Sequence, residues 1–97
     1  MKVVWTATAK KSLRGVYDYI HLDSPIAAQK VRDELIAAAN QIAEYPEKYQ
    51  HDEYYVSESR NIRRMFKWSY RIVYEIKENH VVILAVIHTS KAPKTDL

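Results

Sequence analysis

Arg63, Arg64, Lys67 and Arg71 fall within the run "RRMFKWSYRIVYEI". A guanidinium holds a phosphate or carboxylate through paired N–H donors, and a lysine adds a compact charge. Strand alternation puts Tyr70, Ile72, Tyr74 and Ile76 on one face and Arg71, Val73 and Glu75 on the other. Arg71 therefore either reaches a phosphate from a concave face or pairs with Glu75 or a neighbouring strand. Arg63 and Lys67 alternate with Arg64 and Phe66, and one of these sets shares a side with Arg71. His88 closes an apolar run. An imidazole titrating near ~6.5 serves as a general acid or base where substrate reaches it, and otherwise bonds backbone at a strand end. Tyr54 and Tyr55 offer faces for stacking a base, or simply pack a loop.

The charge is unevenly spread. Residues 7–44 balance five cations against five anions, residues 45–59 carry a net −3, and residues 60–77 carry six cations against Glu75, a net +5. The whole chain is +3. A local excess of this kind suits a polyanion or an acidic protein partner. On an edge strand the same charges guard against sheet-to-sheet association.

Other chemistries are poorly served. The chain has no cysteine, so disulfides and thiolate catalysis are excluded, and a cytoplasmic location is the default expectation. His21, His51, His80 and His88 lack paired ligand spacing, so no metal is expected. One glycine cannot build a phosphate-cradling loop, and no G-x-S-x-G elbow exists, so no cofactor is expected. "MKVVWTATAKK" is not a signal peptide. The longest apolar run, Val81–Ile87, is too short to span a bilayer, so no membrane association is expected.

The elements that position these residues follow from periodicity. "KVVW" opens as a strand. Leu13, Val16, Tyr17 and Ile20 mark one helical face, with Thr6 or Thr8 as its cap. Gly15 sits inside that helix, where close approach of a second helix would justify it. Ser24 caps a second helix with Pro25 in its first turn, Ala28, Val31, Leu35, Ala38 and Ile42 form its buried stripe, and Pro46 ends it. The "HLDS" link makes the two helices an antiparallel hairpin. "EKYQHDEYYVSES" is aperiodic and reads as a loop. Strands are predicted at about 60–66, 69–77 and 80–88. "KENH" joins the last two, with Asn79 taking the left-handed conformation. "VVILAVI" suits a central strand covered on both faces. The fold class is α+β over a single domain, residues 1–97. An N-terminal strand and an antiparallel helical hairpin lead into a three-stranded antiparallel sheet (β-α-α-β-β-β), with the helices on one face.

Several pieces in order, "W-T-x-x-A…L…V-x-D-Y-I", "S-P-x-A-A-x-x-V", "P-E-K-Y", "R-R-M…S-Y-R-I-V-Y-E-I" and "V-V-I-L-A-V-I-H-T-S-K-A-P", resemble the RelE/ParE superfamily over nearly the whole chain. The resemblance implies the toxin of a bacterial type II toxin–antitoxin module, bound as a hetero-oligomer by a cognate antitoxin. One branch, RelE-like, cleaves mRNA on the ribosome, using basic residues to stabilise the scissile phosphate. The other, ParE-like, poisons DNA gyrase and is not a nuclease. For the ribonuclease branch the resemblance implies Arg71, Arg63, Arg64, His88 and Lys91 as catalytic. For antitoxin binding it points, with the local charge, to Arg63, Lys67 and Arg71. No catalytic Tyr stands in the C-terminal tail, a basic position of the nucleases reads Ile62, and the "S-P-x-A-A" helix and "V-I-L-A-V-I-H" strand resemble the ParE-like branch more. The expected function is therefore a gyrase-directed toxin. An mRNA endoribonuclease is the alternative, and a non-toxic binding module of this fold is the alternative of another class.

Overall fold

The computed structural model describes residues 1–90. Thr6 sets the start of helix α1 (Ala7–His21): its Oγ accepts the Ala9 N–H at 3.0 Å. Ser24 does the same for α2 (Pro25–Ile42), accepting from the Ala27 N–H at 3.1 Å, with Pro25 in the first turn. Each cap contributes about 1 kcal/mol. α2 ends at Ile42, ahead of Pro46, which instead opens a 3-10 turn, Pro46–Lys48.

Strands β1 (Lys2–Trp5), β2 (Asn61–Lys67), β3 (Tyr70–Ile76) and β4 (His80–His88) form one sheet in the order β1-β4-β3-β2. The last three run antiparallel, and β1 lies parallel to β4, with Lys2 opposite His80 and Trp5 opposite Ile83. The basic strand β2 is thus an edge. β4, second from the other edge, has the buried interior its apolar run predicts.

The β3–β4 register carries one irregularity. Val73 faces Ala85 but Tyr74 faces Ile83, leaving Leu84 as an extra residue. A bulge of this kind reverses which side of the strand faces inward. Val81 and Ile83 before it, and Val86 after it, accordingly all pack under the helices. The cap of α1 and its second turn reach this part of β4 with side-chain hydroxyls. The Thr6 hydroxyl donates to the Ile83 carbonyl at 3.1 Å, and Ser12 Oγ accepts the Val86 N–H at 3.0 Å.

The helix-bearing side buries Leu35, Ala38, Ala39 and Ile42 of α2 against Met65, Ile72, Tyr74, Val81, Ile83 and Val86. Each large aliphatic contributes roughly 1.5–3 kcal/mol. The other side carries a smaller cluster, Tyr55, Ile62, Val73 and Leu84, covered by the irregular segment that precedes β2.

Two local expectations are corrected. Asn79 is not left-handed: the Lys77 N–H bonds the His80 carbonyl at 2.9 Å, and the one positive φ among the described residues is at Trp68, 53°. The β2–β3 loop has only Trp68 and Ser69 between paired Lys67 and Tyr70, and so tight a hairpin needs a left-handed residue. Gly15 answers no close approach, since a Cβ built there would meet nothing within 4 Å.

Candidate functional site

The alternation of β3 places Arg71 on the side away from the helices, as its pattern predicts, but in an enclosed site. Arg71 is only 5% exposed and pairs with the carboxylate of Asp52, itself buried. Asp52 Oδ1 takes the guanidinium, while Oδ2 accepts the N–H groups of Tyr54 and Tyr55, each at 2.9 Å. The Tyr54 and Tyr55 rings lie 4.9 and 5.7 Å from the guanidinium carbon. A charge removed from water needs both a counter-charge and filled hydrogen-bond positions, and this arrangement supplies them. The Asp at the start of an aromatic turn folds the loop onto the sheet by capping its own following amides.

Glu75, on the same face, is not the partner of Arg71. Its carboxylate meets Arg60 at 2.9 and 3.2 Å and Lys77 at 3.2 Å. The hydrogen bond from Arg60 holds the Glu75 carboxyl below the usual range, against a desolvation that pushes it up. The same bond raises the Arg60 guanidinium. Residues 52–60 therefore form a strap fastened to β3 at both ends, by Asp52 to Arg71 and by Arg60 to Glu75.

Arg64 shares this side. It contacts Gln50 Oε1 at 3.2 Å and Glu53 Oε1 at 3.3 Å, and its guanidinium lies 5.0 Å from the Phe66 ring. Arg63 and Lys67 face the other way. Arg63 opposes Tyr74 and donates to the Tyr49 carbonyl at 2.5 Å and the Glu47 carbonyl at 3.0 Å, tying β2 to the chain after α2. Beside it the Tyr74 hydroxyl donates to the Pro46 carbonyl at 2.6 Å. Burial pushes that phenol well above its ordinary value, with Arg63 opposing. Lys67 approaches Glu34 of α2 at 3.8 Å and the Trp68 ring at 4.7 Å. His88 stands edge-on to Tyr70, ring centres 5.2 Å apart, also on the helix-bearing side, with its Nδ1 2.7 Å from Ser90 Oγ.

The sheet thus separates the residues singled out from the sequence. Arg71 and Arg64 are on one side, and Arg63, Lys67 and His88 on the other; Lys91 lies outside the described residues. Sequence reasoning missed Asp52, whose contact with Arg71 spans a loop without periodicity, and the Arg60–Glu75 pair. The single signal for either was the excess of acids in residues 45–59 beside the excess of bases in 60–77. Among the described residues no group of His, Asp and Glu could hold a metal ion, and no helix is long and apolar enough to cross a membrane.

The fold is an α+β domain with a helical hairpin on one sheet face and a basic edge strand, β2. The chain belongs to the ParE toxin family: the family described as ParE toxin of the type II toxin-antitoxin system, parDE, matches residues 3–93. Toxin RelE2 of Caulobacter vibrioides is 47% identical over 47 residues, 48% of this chain and 53% of that protein, so the match spans about half the relative's length. A chain of the chromosomal ParDE TA system from P. aeruginosa shares the fold, with a TM-score of 0.71 over 91% of this chain and 95% of that one at 21% identity.

Proposed function

We propose that the chain is a ParE-type toxin that acts by binding DNA gyrase in the cytoplasm, cleaves no RNA, and is neutralised by a cognate antitoxin. The observation that carries this reading is the division of the cations. In-line cleavage of RNA needs a guanidinium free to meet the scissile phosphate and an acid or base within hydrogen-bond reach of the same atoms. Arg71 is enclosed by Asp52 and two tyrosines, and His88 stands across the sheet from it. Arg63 is spent on backbone carbonyls. Of the antitoxin contacts, Arg63 and Lys67 are partly exposed on the helix-bearing side, while Arg71 reaches a partner only if the strap lifts.

The test is the purified chain titrated into gyrase supercoiling reactions and, separately, into ribosomes programmed with mRNA. Inhibited supercoiling with intact mRNA is the expected result. Cut mRNA with unaffected gyrase overturns it and supports the second reading, favoured by the likeness to Toxin RelE2. In that reading Arg71, Arg63, Arg64, His88 and Lys91 carry the cleavage. Neither effect, with no growth arrest on expression, leaves a binding module of this fold.

A further inference from the structure

The β2–β3 hairpin ends in a backbone outlier. Trp68 opens the two-residue loop with a φ of 53°, while Ser69 after it keeps a negative φ. Glycine is the residue expected to open such a turn, because a side chain at positive φ crowds its own backbone. A bulky aromatic ring there is strained. Packing does not account for it: Trp68 belongs to neither core cluster and is 53% exposed. Strain that packing does not offset points to a use for the ring outside the fold. The surroundings indicate which use. Phe66, two residues earlier, is 54% exposed. Each ring has a cation beside it: Lys67 Nζ lies 4.7 Å from the Trp68 ring centre, and Arg64 Cζ 5.0 Å from that of Phe66. Lys67 and Arg64 meet Glu34 and Glu53 at 3.8 and 3.3 Å, through exposed acids that a phosphate can displace. Residues 60–74 hold no acid. At the same end of the sheet Ser69, Thr89 and Ser90 expose hydroxyls, with the Thr89 N–H tied to the Ser69 carbonyl at 2.8 Å.

We propose that this hairpin tip is a stacking site for single-stranded DNA. Bases lie on the Trp68 and Phe66 rings, and Lys67 and Arg64 meet the flanking phosphates. An open aromatic face beside a cation suits an unpaired strand, and it accepts any sequence because every base has a π face. A duplex keeps its bases stacked on one another and offers the tip only phosphates. An acidic protein segment would answer the cations but has few flat faces to lay on two rings. That the strand is DNA and not RNA rests on the function proposed above; the stacking site itself does not.

The test is the anisotropy of fluorescein-labelled dodecathymidylate titrated with the full chain at low salt, with tryptophan emission read in parallel. Saturable binding with quenched emission is expected. The logarithm of the affinity should fall against the logarithm of salt with a slope of about −1.4, as for two phosphate contacts on a single strand. Trp68→Gly removes the ring and relaxes the turn, so the melting temperature should hold or rise while the affinity falls about tenfold. Phe66→Leu keeps the apolar bulk, loses the flat face and is expected to weaken the strand several-fold, a second measure free of any folding effect at the turn. Lys67→Gln should roughly halve the salt slope. A folded Trp68→Gly variant that binds as well as the parent overturns the proposal. So does the absence of saturable binding, an equal or higher affinity for the matched duplex, or tighter binding of dodecauridylate. If no strand binds and Trp68→Gly nevertheless abolishes inhibition of gyrase, the ring anchors a protein instead. Binding of dodecathymidylate beside unaffected gyrase refutes only the proposed target.

Discussion

The two faces of the sheet are closed by different physics. On one, the helical hairpin lays Leu35, Ala38, Ala39 and Ile42 over aliphatic strand residues, and burial of apolar area does the holding. On the other, a segment with no helix or strand between Asp52 and Arg60 is held by Asp52–Arg71 at one end and Arg60–Glu75 at the other, over the small cluster around Tyr55. The same seven-residue strand, β3, serves both by alternation. The first closure depends on volume and tolerates apolar exchange. The second depends on paired charges, so it fails when one member is lost and responds to pH and salt.

The sharpest way to break the comparison is to remove one charge from the strap. Asp52→Asn leaves Arg71 buried without a counter-charge and is expected to cost about 3 kcal/mol in urea unfolding. Exchange of both residues, Asp52→Leu with Arg71→Met, is expected to recover most of that loss. If the single and double variants were equally unstable, the strap would be held by shape and not by charge. For the helix side the matching change is Leu35→Ala, with a loss of about 2–5 kcal/mol that no second charge change recovers.

Acid offers a smaller effect on the same face. The folded carboxyl of Glu75 lies below its ordinary value of 4.5, chiefly through Arg60. The unfolded chain therefore takes up the proton first as pH falls. The contribution is fully present above the unfolded value and disappears as pH falls through the folded one. With Arg60 43% exposed, about 1 kcal/mol is expected. Glu75→Gln should flatten unfolding free energy against pH below about 5 relative to the parent. An unchanged slope would show that other carboxylates dominate. The smallest effect is a gain. Gly15→Ala, inside α1 with open space at its Cβ, is expected to stabilise by up to about 1 kcal/mol and raise the melting temperature.

What was legible in the sequence was local. Thr6, Ser24 and Pro25 announce the helix starts because a cap and its amide lie three residues apart. The Ala28-to-Ile42 stripe and the β3 alternation follow from period alone. The resemblance in motif order to the RelE/ParE superfamily also stands, since the ParE toxin family covers residues 3–93. What could not be read was long-range. Asp52 looks no different in sequence from Glu53, yet one is buried and the other is exposed; only the turn that follows and a strand nineteen positions on decide it. The parallel pairing of β1 with β4 left no trace in the spacing of either strand. Nor did the extra residue at Leu84, because "VVILAVI" is apolar at every position and cannot show a phase reversal.

That parallel pairing has a consequence in time. Lys2 is made well before His80, yet it waits for His80 before it has a neighbour in the sheet. Such distant pairing closes late and slowly. A nascent chain that stops short of β4 leaves β1 unpaired and the helical hairpin without Val81, Ile83 and Val86 beneath it. A chain truncated ahead of β4 should therefore be unfolded, and the fold closes only after β4 has been made.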